Sequence, residues 1–180
     1  IESEGVNRRD FMKWVSATTA TLMLPPMFAP LVAEATELMN RVPVVWIELQ
    51  DCAGNSEALL RSSAPTVDDL LFDVLSLEFH ETLQAAAGFD ADKQLEEAVH
   101  HFKGKYLLFV EGAIPMAMNG QYGTIGAMGE TFHDHLMRMS KDAAAIVAVG
   151  TCATFGGVPA AAPNPTGAVG VMDLVKGKPI

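Results

Sequence analysis

The sequence predicts an α/β domain on an open, doubly wound parallel sheet, preceded by a segment of different character. Three observations carry this. Short apolar runs recur around residues 44–49, 106–110 and 143–149, segments of helical periodicity lie between them, and each run ends in a loop rich in glycine or polar residues. Strand, helix and strand again is the pattern of parallel pairing, in which ligands gather beyond the carboxyl ends of the strands.

Residues 1–35 come first and read as an export signal. Arg8-Arg9 precedes Phe11-Met12-Lys13, a mostly uncharged stretch follows with Pro25, Pro26 and Pro30 inside it, and small residues such as Ala33 and Ala35 close it. The apolar part is too polar and too broken by proline for a spanning helix, which needs about 20 predominantly apolar residues. A short amphipathic helix docked on the domain is the competing reading. Asn7-Arg8-Arg9-Asp10-Phe11-Met12-Lys13 matches the twin-arginine pattern except at Asn7, where Ser or Thr is usual. That route moves folded proteins and is favoured by those already loaded with cofactors, so a cofactor site is expected downstream.

Val44-Val45-Trp46-Ile47-Glu48-Leu49 then reads as a buried strand, Asp51 to Ser56 as a loop, and Glu57 to Arg61 as the start of a helix. Thr66 caps a second helix with acids in its first turn, and Leu70, Leu71, Val74 and Leu75 recur at helical spacing, with a short strand over Leu75 to Phe79. Asp92 to Phe102 is helical, Tyr106 to Val110 a strand ending at Glu111-Gly112, and Phe132 to Ser140 a helix. The last strand, Ala143 to Val149, ends at a Gly150-Thr151-Cys152 loop, and a final helix begins near Val171. The chain is expected to be the N-terminal part of a longer one, with residues 36–180 as its first domain.

Composition narrows the chemistry. Half of the residues are apolar (49%) and only 19% are charged, which argues for a packed core and for apolar surface covered by a partner. The formal charge of -10 repels phosphates, so nucleic acid is excluded as a ligand. With only two cysteines, Cys52 and Cys152, there is no disulfide framework. Each stands on a glycine-containing loop after a buried strand, where a helix dipole and backbone donors favour a thiolate. A single bridge and a shared metal site both stay open. The loop at Asp51 to Ser56 has the look of a phosphate cradle but lacks the spaced glycines and lysine of a P-loop. His80, His100, His101, His133 and His135 match no zinc spacing and are expected on helix surfaces. Met116, Met118, Met128, Met137 and Met139 suit a partner surface or a core.

Longer stretches carry a resemblance. Val44 to Arg61, Leu77-Glu78-Phe79-His80-Glu81-Thr82-Leu83, Val110-Glu111-Gly112-Ala113-Ile114-Pro115, and Gly150-Thr151-Cys152-Ala153-Thr154-Phe155-Gly156-Gly157-Val158 continuing to Gly167 are similar to the small subunit of nickel-iron uptake hydrogenases. The resemblance implies a flavodoxin-like fold and an electron relay from hydrogen oxidation at a nickel-iron centre on a separate large subunit. In that family four cysteines hold the proximal 4Fe-4S cluster. Cys52 matches the first and Cys152 the third, the second falls on Asn55, and the fourth would lie beyond Ile180, as would the ligands of further 4Fe-4S and 3Fe-4S clusters. Asn is a poor ligand where a thiolate is expected. Gly54 and Gly157 occupy the places of the two extra cysteines of oxygen-tolerant members, which argues against that cluster type. Gly54 and Thr151 are expected to tune the cluster by hydrogen bonds to its sulfurs. The resemblance also implies a heterodimer, a membrane cytochrome or other acceptor, and a periplasmic, membrane-associated location. The rivals are a non-redox assembly module that binds the large subunit without a proximal cluster, and an anion-binding domain.

Overall fold

Strand β1 (Val42–Glu48) sits inside a four-stranded parallel sheet of order β2-β1-β3-β7, with β2 at Leu75–His80, β3 at Leu107–Glu111 and β7 at Ala145–Val149. The computed structural model describes Lys13 and residues 41–180, so the expected export segment lies, Lys13 apart, outside the described residues. Val42–Ile180 holds together as one compact unit. A central strand of a parallel sheet is covered on both faces, which is why Val44, Val45, Trp46 and Ile47 form an unbroken apolar run and are all buried.

Chain connections follow the flavodoxin-like order. From β1 the chain crosses outward to β2, then returns past β1 to β3 and β7, so the switch point lies between β1 and β3. The intervening helices are α1 (Gly54–Leu60), α2 (Val67–Asp69), α3 (Phe89–His101), α4 (Phe132–Asp142), α5 (Gly150–Phe155) and α6 (Val171–Leu174). Leu95, Ala98 and Val99 of α3 and Leu136 and Met139 of α4 pack into the same core as Val45, Ile47, Leu108, Val110 and Ile146. Two short antiparallel pairs complete the described strands: β4 (Ile114–Pro115) with β8 (Ala168–Val169), and β5 (Thr124–Ile125) with β6 (Glu130–Thr131).

Local chemistry explains the boundaries. Thr66 and Asp69 form a capping box at the start of α2, as expected from Thr66. The expected long helix beyond it is instead three α-helical residues followed by a π-helical turn over Leu70–Val74. Leu75 is already extended because it pairs in register with Val42 of β1, and the sheet outcompetes the helical spacing. Helix α1 begins at Gly54, earlier than the residue pattern suggests. Gly150-Thr151-Cys152 is the first turn of α5 rather than a loop, started at Gly150 (φ 78°) and closed by Gly156 (φ 85°). Of the five methionines singled out, Met139 is fully buried while Met116, Met118, Met128 and Met137 are exposed.

Candidate functional site

The sheet register aligns the strand ends. Glu48 of β1 pairs with Glu111 of β3, and Glu111 with Val149 of β7, so the segments leaving these strands emerge side by side. Glu111 is completely buried and lies at the centre. Its Oε1 accepts from the Asn55 backbone N–H at 2.8 Å and from Asn55 Nδ2 at 3.1 Å, and its Oε2 accepts from the Ser56 N–H at 3.0 Å and Ser56 Oγ at 2.6 Å. A buried carboxylate is tolerated only with such compensation. These bonds also explain why α1 starts at Gly54: Glu111 takes the orphan N–H groups of its first turn, helped by Ala53 in the left-handed region (φ 54°). The phosphate-cradle reading therefore fails, because the protein's own carboxylate occupies those donors.

Asn55 links two of the segments that the sequence singled out. A Cβ on Gly150 would lie 2.4 Å from Asn55 Nδ2 and 2.6 Å from its Oδ1, so the Asn55 amide rests on the glycine that opens α5, two residues before Cys152. Glycine is required at 150 for that approach as well as for its positive φ. Cys52 is exposed, Cys152 is half-buried, and both are free thiols. A Cβ at Gly54 would come to 3.1 Å from Cys52 Sγ, and one at Gly157 to 2.8 Å from Cys152 Sγ. Each sulfur is thus faced by a residue without a side chain, a cradle that any other residue would fill. Thr151 is exposed beside Cys152. Two thiols in such cradles fit iron-sulfur ligation. The Asn55 carboxamide is a poor substitute for a thiolate, being a neutral oxygen donor, and its nitrogen is held by Glu111.

Acidic groups crowd the base of the site. Glu48, Asp51 and Glu111 bring carboxylate oxygens within 4.8 Å of one another. Burial, with Glu111 and Glu48 adding repulsion, pushes Asp51 up to about 6. Ser56 Oγ also lies 2.8 Å from Glu48 Oε1, and Thr82 Oγ1 donates to Glu48 Oε2. His80, expected at the surface, is 2% exposed and stacks on Trp46. Thr82 N–H donates to His80 Nδ1 at 3.2 Å, which leaves the ring proton on Nε2, facing Ser56 Oγ at 3.1 Å. Burial holds His80 below the ordinary histidine range, so the ring is neutral.

His135, also expected at a helix surface, is 3% exposed on α4. The residue pattern did place His133 and His135 on different sides of the helix, and Glu130 and Glu81 stand on the His135 side. Glu81 lies near it, pushed up to about 8 by burial.

Residues 52–180 match the family described as NADH ubiquinone oxidoreductase, 20 Kd subunit. The chain belongs to that family. It is 49% identical over its whole length to the quinone-reactive Ni/Fe-hydrogenase small chain of Wolinella succinogenes, and spans 51% of that relative. It is 43% identical to the hydrogenase-2 small chain of Escherichia coli K12, spanning 48% of it. The structure of recombinant NiFeSe hydrogenase from Desulfovibrio vulgaris Hildenborough in the oxidized state superposes with a TM-score of 0.74 at 39% identity, over 78% of this chain and 52% of that one. The chain thus spans about half the length of the curated relatives it matches. These relatives are hydrogenase small subunits, components of an oxidoreductase.

Sequence reasoning brought Cys52, Glu111 and Cys152 to strand ends but assigned no role to Glu111, Ser56 or His80. The signal was present in the Glu111-Gly112 strand end and in His80-Glu81-Thr82, both within the stretches that carry the resemblance.

Proposed function

We propose that the chain is the N-terminal part of the electron-transferring small subunit of a nickel-iron hydrogenase, with Cys52 and Cys152 as thiolate ligands of a proximal iron-sulfur cluster. The observation that carries this reading is the pair of glycine-faced thiols on segments leaving aligned strands, in a chain whose relatives are hydrogenase small subunits. When bound, such a cluster supplies one-electron transfer between the large subunit's centre and an outer acceptor. The chain's own residues hold and shape the place for it. Cys52 and Cys152 bind, Gly54 and Gly157 leave room, and Glu111 with Asn55 and Ser56 locks β3 to the start of α1. Under this reading Gly54 and Thr151 tune the sulfurs through hydrogen bonds.

The large subunit is the proposed partner, through an obligate interface above roughly 2,000 Å². Phe155 and Val158, 76% and 84% exposed just beyond Cys152, supply apolar surface for it. Export by the twin-arginine route to the periplasm, membrane association through a cytochrome, and further 4Fe-4S and 3Fe-4S clusters in a C-terminal part complete the proposal. Among the described residues no helix is long and apolar enough to cross a membrane.

The test is iron and acid-labile sulfide analysis, with hydrogen-driven dye reduction, on the anaerobically purified full-length heterodimer. Cys52→Ser and Cys152→Ser are each expected to lower iron content and abolish most dye reduction while the heterodimer still assembles. Iron content and rates equal to wild type in both variants would overturn the assignment. One observation favours the non-redox assembly reading: Asn55 spends its amide on Glu111 where a thiolate is expected. Under that reading the wild-type heterodimer forms with no iron at this site.

A further inference from the structure

Away from the cysteines, a cavity of about 820 Å³ opens between the end of β2, α3 and α4. Three buried polar atoms line it without a hydrogen-bond partner: His135 Nε2, Glu81 Oε1 and Gln84 Oε1. Buried polar atoms are normally paired, so three orphans on one cavity wall call for an occupant. His135 is 3% exposed, and its Nδ1 lies 2.9 Å from Glu130 Oε2, which is itself gripped by Arg138 Nε at 2.9 Å and Nη2 at 2.6 Å. Glu130 is therefore ionised and accepts a hydrogen bond from Nδ1–H, leaving Nε2 as a lone-pair acceptor on the cavity wall. Glu81 Oε1 stands 3.9 Å from that nitrogen, while Glu81 Oε2 is fixed by the Glu48 N–H at 3.0 Å.

We infer that this cavity binds one divalent transition-metal ion, held by His135 Nε2, Glu81 Oε1 and Gln84 Oε1 with water completing its shell. A histidine whose far nitrogen is oriented by a carboxylate is the recurring arrangement of metal-ligating imidazoles. An imidazole with carboxylate and amide oxygens suits zinc, nickel or cobalt rather than magnesium or calcium. A metal ion answers all three atoms at once, with Glu81 binding as the carboxylate. Asp92 and Glu96 stand on the same cavity wall, where Arg138 pairs with Glu96 and Glu130 and, among the described residues, Asp92 keeps its charge free of an ion pair. Binding displaces the proton that burial keeps on Glu81. None of the three ligands belongs to the cysteine site, although the Glu48 N–H at its base fixes Glu81.

The experiment titrates the chelator-washed full-length heterodimer with zinc chloride by calorimetry and locates the ion by anomalous diffraction at the zinc edge. A zinc peak between His135 and Glu81 is expected. Glu81→Gln, whose amide can donate to His135 Nε2 and so satisfy it without metal, and Glu130→Gln, which frees the imidazole to turn, are each expected to weaken binding about tenfold to a hundredfold. Thermal unfolding in the presence of chelator checks that Glu81→Gln stays folded. Water alone in the cavity, zinc found only on surface carboxylates, or an organic cation retained there in place of metal would overturn the inference. So would affinity in folded Glu81→Gln equal to wild type.

Discussion

Replacing Asn55 by Cys separates the two roles this position can play. In cluster-free full-length chain the substitution removes the Nδ2 donor 3.1 Å from Glu111 Oε1, and nothing in a thiol replaces a good N–H donor to a carboxylate. A hydrogen bond to a charged group contributes about 1.5–3 kcal/mol. The loss stays below the roughly 3–5 kcal/mol of stranding a buried charge, because the backbone N–H groups of Asn55 and Ser56 and the Ser56 hydroxyl still face Glu111. For a chain of this size that corresponds to a fall of roughly 3–12 °C in unfolding temperature, readable by the fluorescence of buried Trp46. Under iron-sulfur reconstitution in the heterodimer the sign reverses. A sulfur at 55 sits beside Gly150, near the Cys152 turn, and adds a thiolate to the ligand set. More negative ligand charge favours the oxidised cluster, so the proximal potential should fall by on the order of tens of millivolts, with iron retained longer. Redox-poised EPR and iron content measure both. Unchanged stability in the cluster-free chain together with an unchanged spectrum and potential in the loaded heterodimer would refute the account of Asn55 as a brace on Glu111 standing in a ligand's place.

Two further outcomes follow from other residues. Glu81 releases its proton near 4.5 when unfolded but at about 8 when folded, so between those values the unfolded chain binds fewer protons and stability declines as pH rises. Denaturant midpoints of metal-free protein from pH 5 to 9 should show this decline, and Glu81→Gln should flatten it; an equally steep profile in the variant would refute the assignment. Changing Arg8 and Arg9 together to Lys should leave folded protein in the cytoplasm, scored by fractionation, and undiminished periplasmic delivery would remove the twin-arginine reading.

The strands and helices were legible because their information is local. The apolar run Val44 to Ile47 announces a strand covered on both faces, Thr66 with Asp69 announces a helix start, and Cys52 and Cys152 each follow an apolar run at a point where an open α/β sheet collects ligands. Asn55 stood out for the same reason, as the one position where the local motif and the resemblance disagree. What the tertiary structure decided is everything that depends on register across the sheet. The pairing of Glu48 with Glu111 brings a carboxylate to the amides of α1 from 55 residues away, moves the helix start to Gly54 and turns Asn55 inward. Tertiary packing buries His135, with Glu130 of β6 on one side and Glu81 from the turn after β2 on the other, although neither burial is written in the spacing of histidines along the chain. Periodicity reports which face of an element is apolar. It carries nothing about which polar groups meet inside, because those contacts join residues whose separation in sequence is set by chain topology alone.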